Sequence, residues 1–343
     1  EIGHTLGFAH NFTSSAKNRT SVMDYPHPNI EMQGDQISIA NAYEVGIGDW
    51  DKVTVAYAYS DFPEGTDEKE ALNAVIDQSA AAGHRFISDS DARPIGGAHP
   101  NAHLWDNGGV ATDELARLMK IRKQALGQLS LYPLHEGEPY STLEDRFVPM
   151  YLLHRYQVEA VVKLIGGVDY DYAVKGSQNY QVQVVDATTQ RNALLGYLNA
   201  LAPDALAIPE NLHPLLPPRS FSNPRTRENF LSQTGVAFDY LGIAHSLSDA
   251  LIGMLLHPDR ANRLVTQYGF DANQLSLKEM LDTLVDSHFK VKPRDRHQAQ
   301  LNDLVKSTIL KHLMYLGQQP DANPIVKALV VQQLVPLHRW LAG

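Results

Sequence analysis

The first ten residues, Glu1-Ile2-Gly3-His4-Thr5-Leu6-Gly7-Phe8-Ala9-His10, constrain the fold more than any other stretch of the chain. His4 and His10 are six apart, a separation that an uninterrupted α-helix cannot place on one face. Gly7, three residues past His4, supplies the break, because glycine accepts the left-handed conformation in which a helix ends and the chain turns back. A helix through His4 that reverses at Gly7 brings His10 toward the same point from another direction. The offsets of Glu1, His4, Gly7 and His10 fit all but the first position of the pattern H-E-x-x-H-x-x-G-x-x-H. In that pattern two histidines four apart share a helix face and one metal ion. The glutamate beside the first is a general base, acting on a water whose pKa zinc lowers to about 7.

A second element follows thirteen residues after His10: Met23, in the turn Ser21-Val22-Met23-Asp24-Tyr25-Pro26. It resembles the Met-turn that underlies the metal in metzincin zinc peptidases. Within that clan the chain is similar to the large bacterial enzymes that carry a long, mostly helical C-terminal region. Ile47-Gly48-Asp49-Trp50-Asp51, His103-Leu104-Trp105-Asp106-Asn107-Gly108 and Leu153-His154-Arg155-Tyr156-Gln157 resemble stretches of the same group. The resemblance implies a zinc cofactor, a peptide or protein substrate, and export to the periplasm or cell envelope. Position by position, it makes Glu1 the general base, His4 and His10 two zinc ligands, and Met23 the methionine beneath them. Tyr25 matches the tyrosine that steadies the oxyanion in the astacin and serralysin types; a tyrosine packing under the turn is the alternative.

The departure from the family pattern is at the start. The first histidine is expected one position ahead of Glu1, outside this sequence, and so is the upper subdomain, whose edge strand pairs with extended substrate. Three protein ligands make a catalytic zinc site and two make a leaky one. The expectation is that this chain holds zinc weakly or not at all and has no peptidase activity. A reading from a different class stands beside it: a helical binding or scaffold module that retains a remnant of the motif.

Composition narrows the partners. With 39 acidic against 29 basic residues the net charge is −10, which attracts neither nucleic acid nor an anionic membrane surface. Cysteine is absent, which removes disulfides, thiolate catalysis and cysteine-ligated zinc. No apolar run reaches the roughly 18 residues of a membrane span. The 343 residues, 43% of them hydrophobic, suffice for a large core or for two domains.

The expected fold is mainly α: the C-terminal subdomain of a metzincin catalytic domain, then a multi-helix region with a small β-hairpin. Residues 1–110 form the lower part of the catalytic domain, 111–208 a helical region with the hairpin, and 209–343 a C-terminal helical domain. Six prolines between 203 and 224 mark a linker or boundary. Helical spacing runs over 37–59, 66–82, 112–131, 141–165, 186–201, 236–256, 258–268, 276–289, 295–316 and 323–341. Capping boxes open two of these, Ser141 with Glu144 and Ser276 with Glu279. Residues 11–36 and 89–109 read as loop, 84–88 as a short strand, and 168–174 with 180–185 as a hairpin around Gly176 and Asn179. His27 between two prolines reads as a loop residue, His99 and His103 as a polar loop without a general base, and His154-Arg155-Tyr156 as a buried structural cluster.

Overall fold

Amphipathic spacing beyond residue 110 dictates a stack of helices, and the computed structural model, which describes residues 1–177 and 182–342, contains one. The first third is irregular. It holds α1 (Ile2–Thr5), the strands β1 (Glu31–Gln33) and β2 (Gln36–Ser38), α2 (Asp49–Tyr59), α3 (Glu68–Ala81) and the single turn α4 (Asp89–Ala92). The remainder runs through α5 (Ala111–Gln128), α6 (Leu143–Tyr151), α7 (Arg155–Leu164), β3 (Val168–Tyr170), β4 (Val182–Val184), α8 (Ala187–Asn199) and α9 (Pro203–Leu206). It closes with α10 (Tyr240–Leu255), α11 (Pro258–Phe270), α12 (Leu277–Phe289), α13 (Arg296–Gln318) and α14 (Pro324–Ala342). The protein is mainly α, with two antiparallel two-stranded ribbons, β1–β2 and β3–β4, among the described residues.

Caps set the helix starts. Asp67, Asp186, Asp239, Ser276 and Asp295 each accept from the backbone N–H three residues on, satisfying a donor that the first turn leaves free. One hydrophobic core runs through all the later helices, from Leu115 on α5, through Leu194 on α8 and Leu251 on α10, to Val330 on α14. The proline-rich stretch belongs to it: Leu206 and Leu212 are fully buried there, so this segment packs rather than spaces. A smaller cluster, Phe12, Ile87, Ala92, Ala102 and Leu104, lies under the first third.

Local pattern and tertiary context part company at four places. Helical spacing over 37–59 is realised only from Asp49, because Met32 pairs with Ile37 across β1–β2 and Gly46 takes φ +90°. The single helix expected over 141–165 is two. Pro149 lies inside α6, and the chain leaves helix at 152–154 before α7 begins. The capping box there does not form: Ser141 sits in a 3₁₀ turn, and Glu144, buried, pairs with Arg219 at 3.2 Å and Arg225 at 3.4 Å. No strand forms over 84–88, and α4 occupies the start of the expected 89–109 loop. The hairpin pairs Val168 with Val184 as expected, while Asn179 and Tyr180 lie outside the described residues. No helix among the described residues is long and apolar enough to cross a membrane.

Burial gives this fold an acid-sensitive side. It disfavours the imidazolium of His99 and His288, lowering both from 6.5 to about 4, and it lowers His103 and His154 as well. As pH falls past 6.5 the unfolded chain takes up protons that these folded histidines refuse, so stability is lost between pH 6.5 and 4. Burial acts oppositely on two carboxyls, raising Asp24 and carrying Asp106 to about 7. Those two hold protons in the folded state that the unfolded chain releases above about pH 4, so they favour folding as pH falls from 7. Burial lowers His27, His84 and His257 too, so the histidines outnumber the two carboxyls, which predicts a net loss of stability from pH 7 to pH 5 in urea titrations, and a steeper loss for Asp106→Asn. Wild-type stability that stays level or rises over that interval refutes this balance.

Candidate metal centre

Helix α1 ends as its sequence demands. Gly7 takes φ +86°, its N–H bonds to His4 O at 3.0 Å, and the Phe8 N–H reaches back to Gly3 O at 3.0 Å. This paired closure turns the chain sharply and carries His10 back over the helix. The imidazoles of His4 and His10 then meet edge to face, with centroids 4.6 Å apart and the two Nε2 atoms separated by 3.1 Å.

Each ring is pinned from behind. His4 Nδ1 donates to the Phe8 carbonyl at 3.0 Å, and His10 Nδ1 donates to Asp89 Oδ2 at 2.8 Å. With both Nδ1 atoms protonated, two neutral rings aim their Nε2 lone pairs at each other. A metal ion held between the two nitrogens would satisfy both lone pairs. Two tetrahedral zinc ligands with Zn–N near 2.0–2.1 Å would stand about 3.3 Å apart. The observed separation and the acceptors behind each ring therefore fit the donor set of a zinc centre. Among the described residues no group of three His, Cys, Asp or Glu side chains is placed to hold a metal ion. Glu1 is exposed at the start of α1, where its carbonyl accepts from Thr5.

Met23 packs against α1. It is 3% exposed, and a Cβ placed on Gly3 would lie 2.3 Å from its sulfur, so the methionine loop touches α1 where there is no side chain. Asp51 ties that loop down. Its carboxylate accepts from Ser21 Oγ at 2.6 Å, from the Val22 N–H at 3.0 Å and from the Gly48 N–H at 2.6 Å. Asp24, next to Met23, is buried; desolvation and then the neighbouring Asp106 raise its carboxyl well above the ordinary value.

Tyr25 stands beside the histidines, its ring centroid 4.7 Å from that of His10. It stacks in turn on Trp105, which meets Tyr156 of α7 at 4.5 Å. Tyr25 and Trp105 both adopt positive φ, +57° and +53°, joined by a hydrogen bond from the Trp105 N–H to Tyr25 O. A left-handed conformation costs a non-glycine residue roughly 1–2 kcal/mol, so packing around this aromatic pair over-determines it. A cleft of about 1160 Å³ opens beside Tyr25 and Trp105, with Val22, Val53 and Ala56 in its wall.

The other histidines singled out in the sequence go elsewhere. His27 Nδ1 turns to the Pro28 carbonyl. His99 is fully buried with Nε2 on Tyr170 O, and His103 faces Glu159 at 3.3 Å, so the pair does not converge. His154 is fully buried. Sequence reasoning missed Asp89, which is 79 residues from the histidine it supports and carries no local signal. Against the upward push of burial, hydrogen bonds from Arg93 and His10 hold its carboxyl down at about 2. It is a full anion wherever the protein is folded near neutrality.

A family model described as Met-zincin matches residues 1–296. The chain belongs to that family, and with it to the metzincin-type metallopeptidases, whose members use zinc. No curated protein matches the chain, and no solved structure does.

The contact between Gly3 and Met23 predicts that Gly3→Ala displaces the sulfur and costs about 1–3 kcal/mol, as overpacking of a tight site does. Urea unfolding and the Met23 methyl resonance check it. A variant with wild-type values in both would remove Met23 from beneath α1.

Proposed function

We propose that this chain is part of a zinc-dependent endopeptidase in which His4 and His10 are two of the ligands and Glu1 is the general base. The observation that carries the reading is the convergence of two Nε2 atoms at 3.1 Å, each on a ring whose Nδ1 is committed to an acceptor. A third imidazole, one position ahead of Glu1, completes the set, since it would share a helix face with His4. Zinc held there supplies Lewis acidity to a peptide carbonyl and to water. Glu1 takes the proton of the attacking water and returns it to the departing amine. Met23 is the Met-turn residue, supporting the ligand helix from below. Tyr25, whose ring lies against His10, donates its hydroxyl to the developing oxyanion in this reading. The cleft beside Tyr25 and Trp105 takes the side chain that follows the scissile bond.

With two of the three imidazoles, these 343 residues hold zinc weakly or not at all and do not cleave peptides. Residues 1–110 form the lower part of the catalytic domain, with helical regions over 111–208 and 209–343. We place the intact protein in the periplasm or cell envelope, on its likeness to the large bacterial enzymes of the clan. A helical binding or scaffold module is the second reading, favoured by the extent of the core shared by α5 to α14 beside the small cluster near the histidines.

Zinc content after dialysis, measured on this chain and on one carrying a histidine ahead of Glu1 with its upstream domain, decides between them. The longer chain is expected to retain one zinc per molecule and to cleave casein, and Glu1→Gln to reduce cleavage by at least a hundredfold with zinc retained. A longer chain that binds no more zinc than the shorter one rejects the peptidase reading in favour of the scaffold.

A further inference from the structure

Asp89 belongs to a segment, residues 85–97, whose two sides are held by different parts of the molecule. One side runs along the chain that carries His10. The Phe12 N–H donates to Ile87 O at 2.9 Å, and the Ile87 N–H to Asn11 Oδ1 at 3.3 Å. Asn11 Nδ2 and Thr13 Oγ1 both donate to Arg85 O, at 2.7 and 2.9 Å. The chain that carries His10 and the aspartate segment are therefore tied together.

The other side is gripped by the helical region, from three elements. At β3 and just beyond it, the Tyr170 and Tyr172 hydroxyls each donate to one carboxylate oxygen of Asp91, two residues from Asp89. The Tyr172 hydroxyl also accepts from the Ser88 N–H, and Arg85 pairs with Asp169 at 2.5 Å and Asp171 at 2.8 Å. At α7, the buried Lys163 ammonium donates to the carbonyls of Ala92 and Ala102. At α11, Arg260 donates to Ile95 O, and Arg263 to Gly96 O at 2.8 Å and Gly97 O at 3.2 Å. Contact at Gly96 is closed: a Cβ there would lie 2.5 Å from Asp259 Oδ2.

The bonds from α7 and α11 share one property. Buried cations donate to backbone carbonyls, which fixes the path of the segment itself rather than the position of a flexible side chain. Asp89 is the point where that fixed path meets His10. One oxygen accepts from the imidazole and the other from Arg93, whose guanidinium lies over the Phe12 ring. A surface pair with Arg93 alone would be worth little. A carboxylate held in place behind an imidazole decides which nitrogen keeps the proton and where the other nitrogen points.

We infer that the helical region is the positioning element of the metal centre: β3, α7 and α11 hold residues 85–97 in place, and Asp89 passes that position to His10 by fixing its Nδ1–H and ring direction. Asp89, Tyr170 and Tyr172 are positioning residues and touch no substrate. The metal half of this inference rests on the reading of His4 and His10 as ligands; the positioning half does not.

Two variants test it, Asp89→Asn and the double variant Tyr170→Phe/Tyr172→Phe, each made in the full 343-residue chain. Long-range ¹H–¹⁵N spectra of His10 report its tautomer, hydrogen exchange reports the amides of residues 88–93, and competition titration with zinc chloride reports affinity. In the double variant, exchange over 88–93 should accelerate at least tenfold while α13 keeps its protection, and His10 should lose its single Nδ1–H tautomer. Asp89→Asn should weaken zinc binding about 10–100-fold, the usual effect of removing a carboxylate behind a ligating histidine. Wild-type exchange and a wild-type His10 tautomer in the double variant overturn the positioning role of the helical region. A loss of zinc affinity below twofold in Asp89→Asn overturns the role of Asp89. If the wild-type chain, with and without a histidine ahead of Glu1, takes up no zinc, the ligand reading fails, and the tautomer and exchange data still decide the positioning role.

Discussion

Two imidazole nitrogens facing each other at 3.1 Å are the constraint around which the first third of this protein is arranged. With both Nδ1 protons already committed, a positive charge between the rings would satisfy both Nε2 lone pairs. The left-handed turn at Gly7 folds the chain back, the Phe8 carbonyl and the Asp89 carboxylate select the tautomers, and Tyr25 closes the side of His10. Each device acts on ring direction. Directional control is what separates a donor set from two histidines that happen to be near each other.

The methionine loop is brought against α1 by omission as much as by attraction. Gly3 and Gly48 present bare backbone where any side chain would collide, the first with the Met23 sulfur and the second with the Thr20 carbonyl. Asp51 then collects three donors from the loop and its neighbour, one charged acceptor organising a turn that lacks regular structure. The left-handed Tyr25 and Trp105 are strained on their own, and their stacking with each other and with Tyr156 offsets that cost. The loop is therefore tied at both ends and strained in the middle, a layout suited to holding one side chain in one place.

The helical region does more than add bulk. Its core is continuous from α5 to α14, and along the face toward residues 85–97 it places cations against carbonyl oxygens rather than carboxylates. Burial works against those charges, pulling Lys163 down to about 8 and Arg260 to about 9, so each must be compensated by well-placed acceptors. Requirements of that kind make an interface rigid and specific. A purely apolar interface of equal area would tolerate sliding.

The sequence by itself determined the elements whose cause is local. Gly7 ends α1 because only glycine is at ease at φ +86°, Ser276 and the capping aspartates start helices because a side-chain oxygen reaches the third N–H, and the apolar stripes of α5 and α10 bury themselves. The offsets of His4, Gly7 and His10 made their convergence legible for the same reason, all three lying within ten residues. Tertiary structure alone decided the rest. Glu144 abandoned its expected cap for Arg219, residues 37–48 gave up helix for a strand and a turn, and Asp89 came to His10 from 79 residues away. Contacts between distant segments leave no periodicity and no spacing to read. They exist only once the large core has fixed where β3, α7 and α11 stand.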